Sequence, residues 1–328
     1  MQRVDFKYFY LYHVFEMQIT LIISLIAILW VPNSADEWGF FGHKKINELS
    51  IYSLPNELRG FYKAHAKEII AWSVAPDQRR YVVEEEGAKH YIDLDLYDSF
   101  PLPKYWNQAV ENYGEDYLRE RGIVPWNTFF VYHRLVKAMA AKDYKRIIKV
   151  SADLGHYVAD AHVPLHTTSN YNGQFTGQLG IHAFWESRLP ELYFERYDLF
   201  SERAAYIKDV QGELWQTIDE SNAMLQSILK LDSALTQELG EDKKYAFMQR
   251  GKRVIRMPSE YYSQKYNDLA GGQVELRMRK AIFRVSSLWF SAWVDAGQPV
   301  LDELTVIETE MDTIQKVGTP ISKRNHDY

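Results

Sequence analysis

The amino-acid sequence predicts an all-α protein with a single domain. Apolar residues recur at spacings of three and four along much of the chain, which is the period of a helix with one buried face. Pro and Gly clusters separate these stretches, and the alternating patterns typical of strands are sparse. The chain has 328 residues, of which 46% are hydrophobic, so it is long enough for one sizeable core. The predicted helices cover residues 46–54, 129–141, 144–163, 214–231 and 274–294.

The N-terminus carries an apolar run at residues 19–31, preceded by Arg3 and Lys7 and followed by small residues. The run is too short to span a bilayer comfortably, so it predicts a cleaved signal peptide and a secreted or periplasmic protein. Met17 is an alternative start, which would leave no positive charge before the run. We expect residues 1–37 to be signal peptide and pro-residues, 38–302 to form the domain, and 303–328 to be a polar tail.

Two segments depart from the helical pattern. Pro101 and Pro103 predict a loop over residues 93–107. Residues 245–257 alternate around Arg250-Gly251, which predicts a short β-hairpin. Trp289 and Trp293 stand one turn apart at the end of the last predicted helix, where we expect them in the core.

Composition narrows the classes of function. The chain has no Cys, which excludes disulfides, thiolate metal ligands and a lipid anchor on cysteine. The formal net charge of -6 gives no general basic field, so charge alone does not indicate tight non-specific binding of nucleic acid.

Histidines and carboxylates crowd into residues 156–186. His156 and Asp160 stand one turn apart on one predicted helix, and His182 and Glu186 repeat this offset further along, with His166 between the pairs. A structural histidine has no reason to recur beside a carboxylate at the same spacing, so the pattern predicts a metal site. Nitrogen and oxygen ligands without Cys favour zinc, in a catalytic rather than a structural site.

Three further motifs precede this cluster along the chain. They are Trp38-Gly-Phe-Phe-Gly-His43, Asp77-Gln-Arg79 and His90-Tyr91-Ile-Asp93. In this order, followed by His-x-x-x-Asp-x-His-x-Pro-Leu-His and His-x-x-x-Glu, the motifs closely resemble the zinc-dependent phospholipase C and single-strand-specific nuclease superfamily. The resemblance covers roughly residues 38–299 and implies an all-helical enzyme with three zinc ions in one cleft.

The resemblance implies a ligand set for each zinc ion. One ion would be held by Asp77, His90, His156 and Asp160, and its close partner by His166, His182 and Glu186. The third would take His43, the other oxygen of Asp160, and the amine and carbonyl of Trp38.

The resemblance also implies roles in catalysis and substrate binding. Asp77 is expected to orient the attacking water as a catalytic residue. For Arg79 two roles are open, a ligand of a phosphate oxygen and a local salt bridge. Tyr91 and Asp93 fall where the nucleases stack and hydrogen-bond a base. His162 falls off the face that His156 shares with Asp160, so we expect it behind the ligands or on the surface.

Departures from the family pattern bear on the substrate. Phospholipases that bind choline have an acidic residue, a Tyr and a Phe where this chain has Phe41, Gln78 and Gly87. The nucleases carry Asp where this chain has Glu186, although the Trp-Gly-x-x-Gly-His opening is the nuclease form.

The sequence therefore predicts a phospholipase C-like, zinc-dependent phosphodiester hydrolase that acts on phospholipid or another small phosphodiester. The alternative is a single-strand-specific nuclease or 3′-nucleotidase. A second alternative is an extracytoplasmic zinc-binding protein without catalysis, against which the completeness of the ligand set argues.

Overall fold

A computed structural model of the protein describes residues 39–98, 101–250 and 253–301. Within them the fold is all-α, as predicted. The predicted signal peptide, the predicted ligand Trp38 and the predicted C-terminal tail lie outside the described residues.

Helices account for most of the described chain. The first seven are Gly39–Ser53 (α1), Asn56–Ala64 (α2), Ala66–Trp72 (α3), Ala75–Arg79 (α4), Trp106–Tyr113 (α5), Glu115–Glu120 (α6) and Val124–Ala140 (α7). The remaining seven are Tyr144–Ala161 (α8), Ile181–Ala183 (α9), Leu189–Tyr193 (α10), Val210–Leu239 (α11), Glu241–Lys244 (α12), Glu260–Leu269 (α13) and Gln273–Asp295 (α14). Short 3₁₀ turns cover Glu84–Lys89, Leu94–Leu96, Pro164–Thr167 and Phe194–Arg196, and a π turn, Phe184–Arg188, joins α9 to α10.

A two-stranded antiparallel hairpin follows α12, where the sequence predicts one. Strands β1 (Tyr245–Arg250) and β2 (Arg253–Pro258) pair with Tyr245 opposite Pro258. These are the only strands of the described residues.

Helix α8 is the centre of the fold. Its N-terminus is capped by Asp143, whose carboxylate accepts a hydrogen bond from the Arg146 amide at 3.1 Å. Residues 150–161 are buried throughout, because α1, α3, α7 and α14 pack around the helix. A helix buried on all sides in this way has fixed side chains on every face.

Helices α1 and α8 approach each other closely at Gly155. A Cβ atom at this position would lie 2.1 Å from Oδ1 of Asn47 on α1, so only glycine fits without a shift. Because the two backbones lie close together here, side chains on the neighbouring turns of α1 and α8 can contact each other.

The last helix completes the core. Trp289 of α14 is fully buried, stacks on Tyr62 at 4.7 Å between ring centroids, and donates from Nε1 to the carbonyl oxygen of Ser151. Trp293 is buried as well, so both tryptophans are core residues, as predicted. No helix in the described part of the chain is both long and apolar enough to cross a membrane.

Candidate metal centre

Six separate segments of the chain supply the side chains of the centre. The structure brings together every predicted histidine and carboxylate ligand among the described residues, in three groups, of which the first two share His156. The groups are His43 with His156 and Asp160, Asp77 with His90 and His156, and His166 with His182 and Glu186.

Asp160 lies between the groups. Its Oδ2 is 2.9 Å from Nδ1 of His90 and 3.3 Å from Nε2 of His156, its neighbour one turn earlier on α8. Its Oδ1 faces the other way, 3.4 Å from Nε2 of His43 and 3.7 Å from Nδ1 of His166. The two oxygens of one carboxylate therefore meet different histidines, which is the arrangement that a bridging ligand requires.

Asp77 on α4 lies opposite Asp160. Its Oδ1 is 3.7 Å from both Nδ1 of His90 and Nε2 of His156, and the same oxygen accepts a hydrogen bond from the guanidinium of Arg80 at 3.3 Å. A Cβ atom on Gly39 would lie 2.7 Å from Oδ2 of Asp77, so the first residue of α1 must be small for the carboxylate to stay in place.

The third group is built on the π turn. Oε2 of Glu186 lies 3.1 Å from Nε2 of His182 and 3.2 Å from Nε2 of His166. Pro190 has no N–H to donate to the carbonyl of Glu186, which removes one hydrogen bond of a regular α-helix and favours a wider turn. The local sequence thus explains why the helix widens where it presents its ligand.

Hydrogen bonds behind the ligands fix two imidazoles. Nδ1 of His156 donates to the carbonyl oxygen of Ser73 at 2.8 Å, and Nδ1 of His166 donates to the carbonyl oxygen of His90 at 2.7 Å. In its neutral form each ring then turns a nitrogen lone pair from Nε2 towards a carboxylate, Asp160 or Glu186. Two buried electron-pair donors at such distances need a cation between them, so the residues fit a metal ion.

A backbone contact ties two ligand segments together. The amide of Ile92 donates to the carbonyl oxygen of His166 at 2.9 Å, in addition to the bond from His166 to the His90 carbonyl. The segment after His90 and the 3₁₀ turn of His166 therefore form one unit.

The charge of the centre is set by its carboxylates. Burial alone would raise the pKa values of Asp77, Asp160 and Glu186, but the adjacent histidines outweigh burial and lower all three. Burial lowers the pKa of His90 to about 4, against the attraction of Asp160. At neutral pH the centre thus presents ionised carboxylates and a neutral His90, the protonation states that metal binding requires.

His156 differs from His90 in its protonation. Burial would lower its pKa, but the carboxylates of Asp160 and Asp77 raise it to about 9. Without a metal the ring holds a proton between itself and the carboxylates, and a metal ion would have to replace that proton.

Arg79 does not reach into the centre. Its guanidinium donates to Asp153 at 3.1 Å, to Glu86 at 3.2 Å and to the hydroxyl of Tyr157 at 3.2 Å. The local salt bridge to Asp77, one of the two roles predicted for Arg79, is not formed. Arg79 pairs instead with Glu86 and Asp153, and binding a phosphate would require the side chain to leave both carboxylates. The partner of Asp77 is instead the next residue, Arg80, which the sequence analysis missed.

Glu86 was also missed by the sequence analysis. It is buried, pairs with Lys89 at 2.6 Å, and lies 4.0 Å from Nε2 of His90, behind that ligand. Burial alone would raise its pKa, but Arg79, His90 and Lys89 lower it to about 2. For Asp153, the other partner of Arg79, burial outweighs the attraction of the guanidinium, and the pKa of the carboxyl is raised. Glu86 also accepts a hydrogen bond from Lys89, whereas the negative charge of Glu86 itself adds to the raised pKa of Asp153.

Tyr91 and Asp93, the predicted base-binding residues, follow directly after His90 but belong to none of the three groups. Tyr91 is half-buried with its ring against Gly122, where a Cβ atom would lie 2.5 Å from Cδ2 of the ring. Asp93 is buried, and its amide donates to the carbonyl oxygen of Arg121 at 2.7 Å.

His162 lies behind the ligands and not on the surface, the other position left open for it. It is buried, and Nδ1 donates to the carbonyl oxygen of Val158 at 2.7 Å. Burial, with the nearby Arg277 and Arg284, holds its pKa well below the ordinary value. The ring lines a cavity of about 40 Å³ that also touches His43 and Glu186.

The positions that distinguish choline-binding phospholipases hold no cage for a quaternary ammonium. The ring of Phe41 packs edge-on against Phe194 at 5.3 Å between centroids. Gly87 is buried in a 3₁₀ turn, and Gln78 is half-buried on α4.

Comparison with known proteins agrees with this geometry. The sequence profile of the zinc-dependent phospholipase C family matches residues 42–247, a stretch that contains all the histidine and carboxylate ligands described above. A search of curated proteins finds no matching relative. Because the match spans more than half of the chain, the protein belongs to the zinc-dependent phospholipase C family, whose members are phosphoric ester hydrolases.

Proposed function

We propose that the protein is a secreted or periplasmic phospholipase C that hydrolyses the phosphodiester of phospholipids with water. The observation that carries the proposal is the carboxylate of Asp160, whose two oxygens face different histidines at 2.9–3.4 Å. Such a bridge is useful for holding several cations at one phosphate and is not needed for a single structural ion.

The proposal assigns three zinc ions to the groups of ligands. One would lie among Asp77, His90, His156 and Asp160, and a second among the three side chains that meet at Glu186. The third would lie between His43 and Asp160, with Trp38 completing its ligands. Zinc bound in this way would lower the pKa of a bound water towards ~7. Its positive charge would also neutralise the negative charge on the phosphoryl oxygens.

In the reaction, the water oxygen forms a bond to phosphorus as the bond from phosphorus to the glycerol oxygen breaks. The products are diacylglycerol, which takes up a proton, and the phosphorylated head group. No nucleophile from the protein is needed, in agreement with a chain that has no Cys.

Asp77 is suited to orient the attacking water. Its side chain is 14% exposed, against 3% for Asp160 and 7% for Glu186, so it is the carboxylate of the centre that solvent reaches most easily. Its lowered pKa keeps it ionised, and it can accept a hydrogen bond from the water. Arg80 holds the carboxylate in this position.

Phospholipid is favoured as substrate by the family to which the chain belongs. The nuclease alternative depends on Tyr91 and Asp93 as base-binding residues. Tyr91 is half-buried, Asp93 is buried, and both pack against residues 121–122. The assay below separates the two substrates.

The test is release of phosphate-containing product from phospholipids, single-stranded DNA, RNA and 3′-nucleotides. We expect the purified protein to release phosphorylated head groups from phospholipids, to lose this activity with chelator, and to recover it with zinc. Asp77→Asn should lower the rate far more than Lys145→Gln, a change at an exposed position of α8 remote from Asp160.

Other outcomes would replace the proposal. Hydrolysis of nucleic acid or 3′-nucleotides without hydrolysis of lipids would make the protein a nuclease. A zinc-loaded protein that cleaves none of the substrates would be a zinc-binding protein without catalysis.

A further inference from the structure

The β-hairpin carries a surface that the metal centre does not explain. Phe247 and Val254 are 76% and 62% exposed, although both are apolar. They lie on one face of the hairpin, because Phe247 pairs with Arg256 and Gln249 pairs with Val254, and alternate residues of a strand share a face. We call these four side chains the outer face of the hairpin.

The opposite face of the hairpin is attached to the protein. Met248, Ile255 and Met257 are half-buried, and Arg188 donates to Sδ of Met248 at 3.1 Å. Arg188 belongs to the same π turn as the ligand Glu186. The exposed apolar residues are therefore presented by a supported strand pair that packs against a segment of the metal centre.

Charge is distributed unevenly between the hairpin and the rest of the chain. The hairpin sequence, residues 245–258, contains four basic residues and no acidic one, on a chain with a net charge of -6. Among the described side chains, Arg256 lies over the ring of Tyr245 at 3.6 Å and reaches Glu241 at 3.4 Å. The pair with Glu241 is exposed at both ends, so water and salt weaken it.

Aromatic, aliphatic and basic residues on one exposed face are the combination that binds anionic lipid surfaces. We propose that the outer face of the hairpin docks the protein on a membrane rich in anionic phospholipid, with Phe247 and Val254 entering the head-group region. The inference rests on the proposed function, since a phospholipase must reach substrate packed in a bilayer. It concerns residues at and beyond the end of the family match at position 247.

A single-stranded nucleic acid would be the other partner for a basic and aromatic surface. The outer face favours lipid, because Val254 is exposed and apolar and offers no ring for a base to stack on. The test includes nucleic acid as a separate outcome.

The test is co-sedimentation of the zinc-loaded full chain with vesicles of phosphatidylglycerol and phosphatidylcholine, compared with vesicles of phosphatidylcholine alone. The double variant Phe247→Ser, Val254→Ser should bind the anionic vesicles at least about tenfold more weakly, since two apolar side chains no longer leave water. Arg256→Gln should weaken binding about fivefold, and less at high salt.

Two variants serve as matched controls. Phe200→Ser removes an aromatic side chain that is 89% exposed outside the hairpin, and Lys145→Gln removes an exposed positive charge on α8. Both should bind vesicles as the unaltered protein does. All variants carry the same N-terminus, so differences between them exclude any contribution from the apolar run at residues 19–31. Circular dichroism confirms that each variant is folded.

Three results would overturn the proposal. In the first, the hairpin variants bind anionic vesicles as tightly as the controls. In the second, the difference between variants is the same on neutral and anionic vesicles. In the third, the hairpin changes weaken retention of single-stranded DNA and not of vesicles. Since sedimentation needs no catalysis, a protein that binds vesicles but releases no head group would remove the proposed function and leave the docking surface intact.

Discussion

Nδ1 of His156 donates a hydrogen bond to the carbonyl oxygen of Ser73 at 2.8 Å. Ser73 follows directly after α3, so the end of one helix determines which nitrogen of a histidine on another faces the carboxylates. A backbone carbonyl can only accept a hydrogen bond, so Nδ1 must carry a proton. In the neutral ring Nε2 is then the nitrogen with a free lone pair, and it is the atom that can bind a metal. The centre is thus oriented by the packing of helices and not by its ligands alone.

Asp160→Asn should remove zinc from the protein. The amide has no charge, and only one of its two terminal atoms can ligate, so the bridge between His43 and His156 is lost. We expect metal analysis to show a loss of at least one zinc ion per chain. Loss of a residue that only hydrogen-bonds to a metal ligand typically lowers activity roughly 10- to 100-fold, and the loss of Asp160 itself should lower it further.

The matched control for this variant is Asp232→Asn. Asp232 is also buried and forms an ion pair with Lys244 at 2.8 Å, remote from the zinc ligands in sequence and in none of their groups. Its loss should cost about 3–5 kcal/mol of stability, since it leaves a buried ammonium unpaired. Zinc content should be unchanged. Equal zinc contents in the two variants would contradict the role of Asp160.

Gly155→Ala should weaken the contact between α1 and α8. The added methyl group would meet Asn47 at 2.1 Å, so the helices must separate, at a cost of about 1–3 kcal/mol that exceeds the gain in helix propensity. Urea unfolding of chelator-treated protein measures this cost. The double variant Gly155→Ala, Asn47→Ala should recover part of the lost stability. If the free-energy changes of the two single variants simply add in the double variant, the two residues do not clash.

Glu86→Gln should destabilise the protein in a pH-dependent manner. The pKa of Glu86 is lowered from 4.5 to about 2 in the folded protein. A carboxyl group whose pKa is lower in the folded state stabilises the fold above its unfolded pKa, and this contribution is lost as the pH falls towards the folded value. We expect Glu86→Gln to cost about 3 kcal/mol at pH 7, and the difference to shrink below pH 4.5.

The measurement for Glu86 is urea unfolding of metal-free protein at several pH values between 7 and 3. Removing the metal separates this titration from protonation of the ligands. The charge of Glu86 helps to raise the pKa of Asp153, so both proteins are compared in a background with Asp153→Asn, where that second titration is absent. A difference that stays constant down to pH 3 would show that the carboxylate of Glu86 is not stabilised in its ionised form.

Phosphatidylcholine should not be strongly preferred over phospholipids with other head groups. Phe41, Gln78 and Gly87 occupy the positions of the choline-binding residues, and the ring of Phe41 is engaged with Phe194. A quaternary ammonium therefore finds neither an acidic residue nor an open aromatic face there. Rates on a panel of head groups, measured in vesicles of equal charge, test this expectation, and a large excess for choline would refute it.

The mature N-terminus is expected at Trp38 or at Asp36. Trp38 can ligate zinc through its amine only if the chain is cut after Glu37, whereas Ala35 is the better residue for a signal peptidase. Either a second cut frees Trp38, or a carboxylate of Asp36 or Glu37 replaces the amine, since oxygen is an acceptable zinc donor. N-terminal sequencing with metal analysis decides, and a start at Asp36 with two zinc ions would defeat both versions.

The long helices, and the residues that converge in the three groups, were predictable from the sequence because each depends on a local pattern. The predicted helix over residues 144–163 agrees with α8 to within two residues at either end, and the hairpin at 245–257 is likewise in place. His156 with Asp160 is a pair at fixed helical spacing, which a reader of the sequence can recognise without knowing the fold.

The partners behind the ligands were not predictable, since they depend on contacts between distant segments. Asp153 lies 74 positions from Arg79, and nothing in either neighbourhood indicates that they meet. The short helices α5 and α6 were also missed, because they are too short to show a full apolar period. His162 was left open between burial and exposure, since its surroundings are contributed by α14.

The backbone bond between Ile92 and His166 has a consequence for how the protein acquires its metal. Because this bond and the bond from the His166 side chain join protein atoms only, they link two ligand segments through the chain itself, and the folded chain should offer a prearranged site. Most of the entropy of bringing ligands together has then been spent in folding, so an arriving ion has to shed its own water and, at His156, to replace a proton. Metal uptake should accordingly follow folding as a separate, rapid step, and the order in which ions enter would be decided by charge and access at each group.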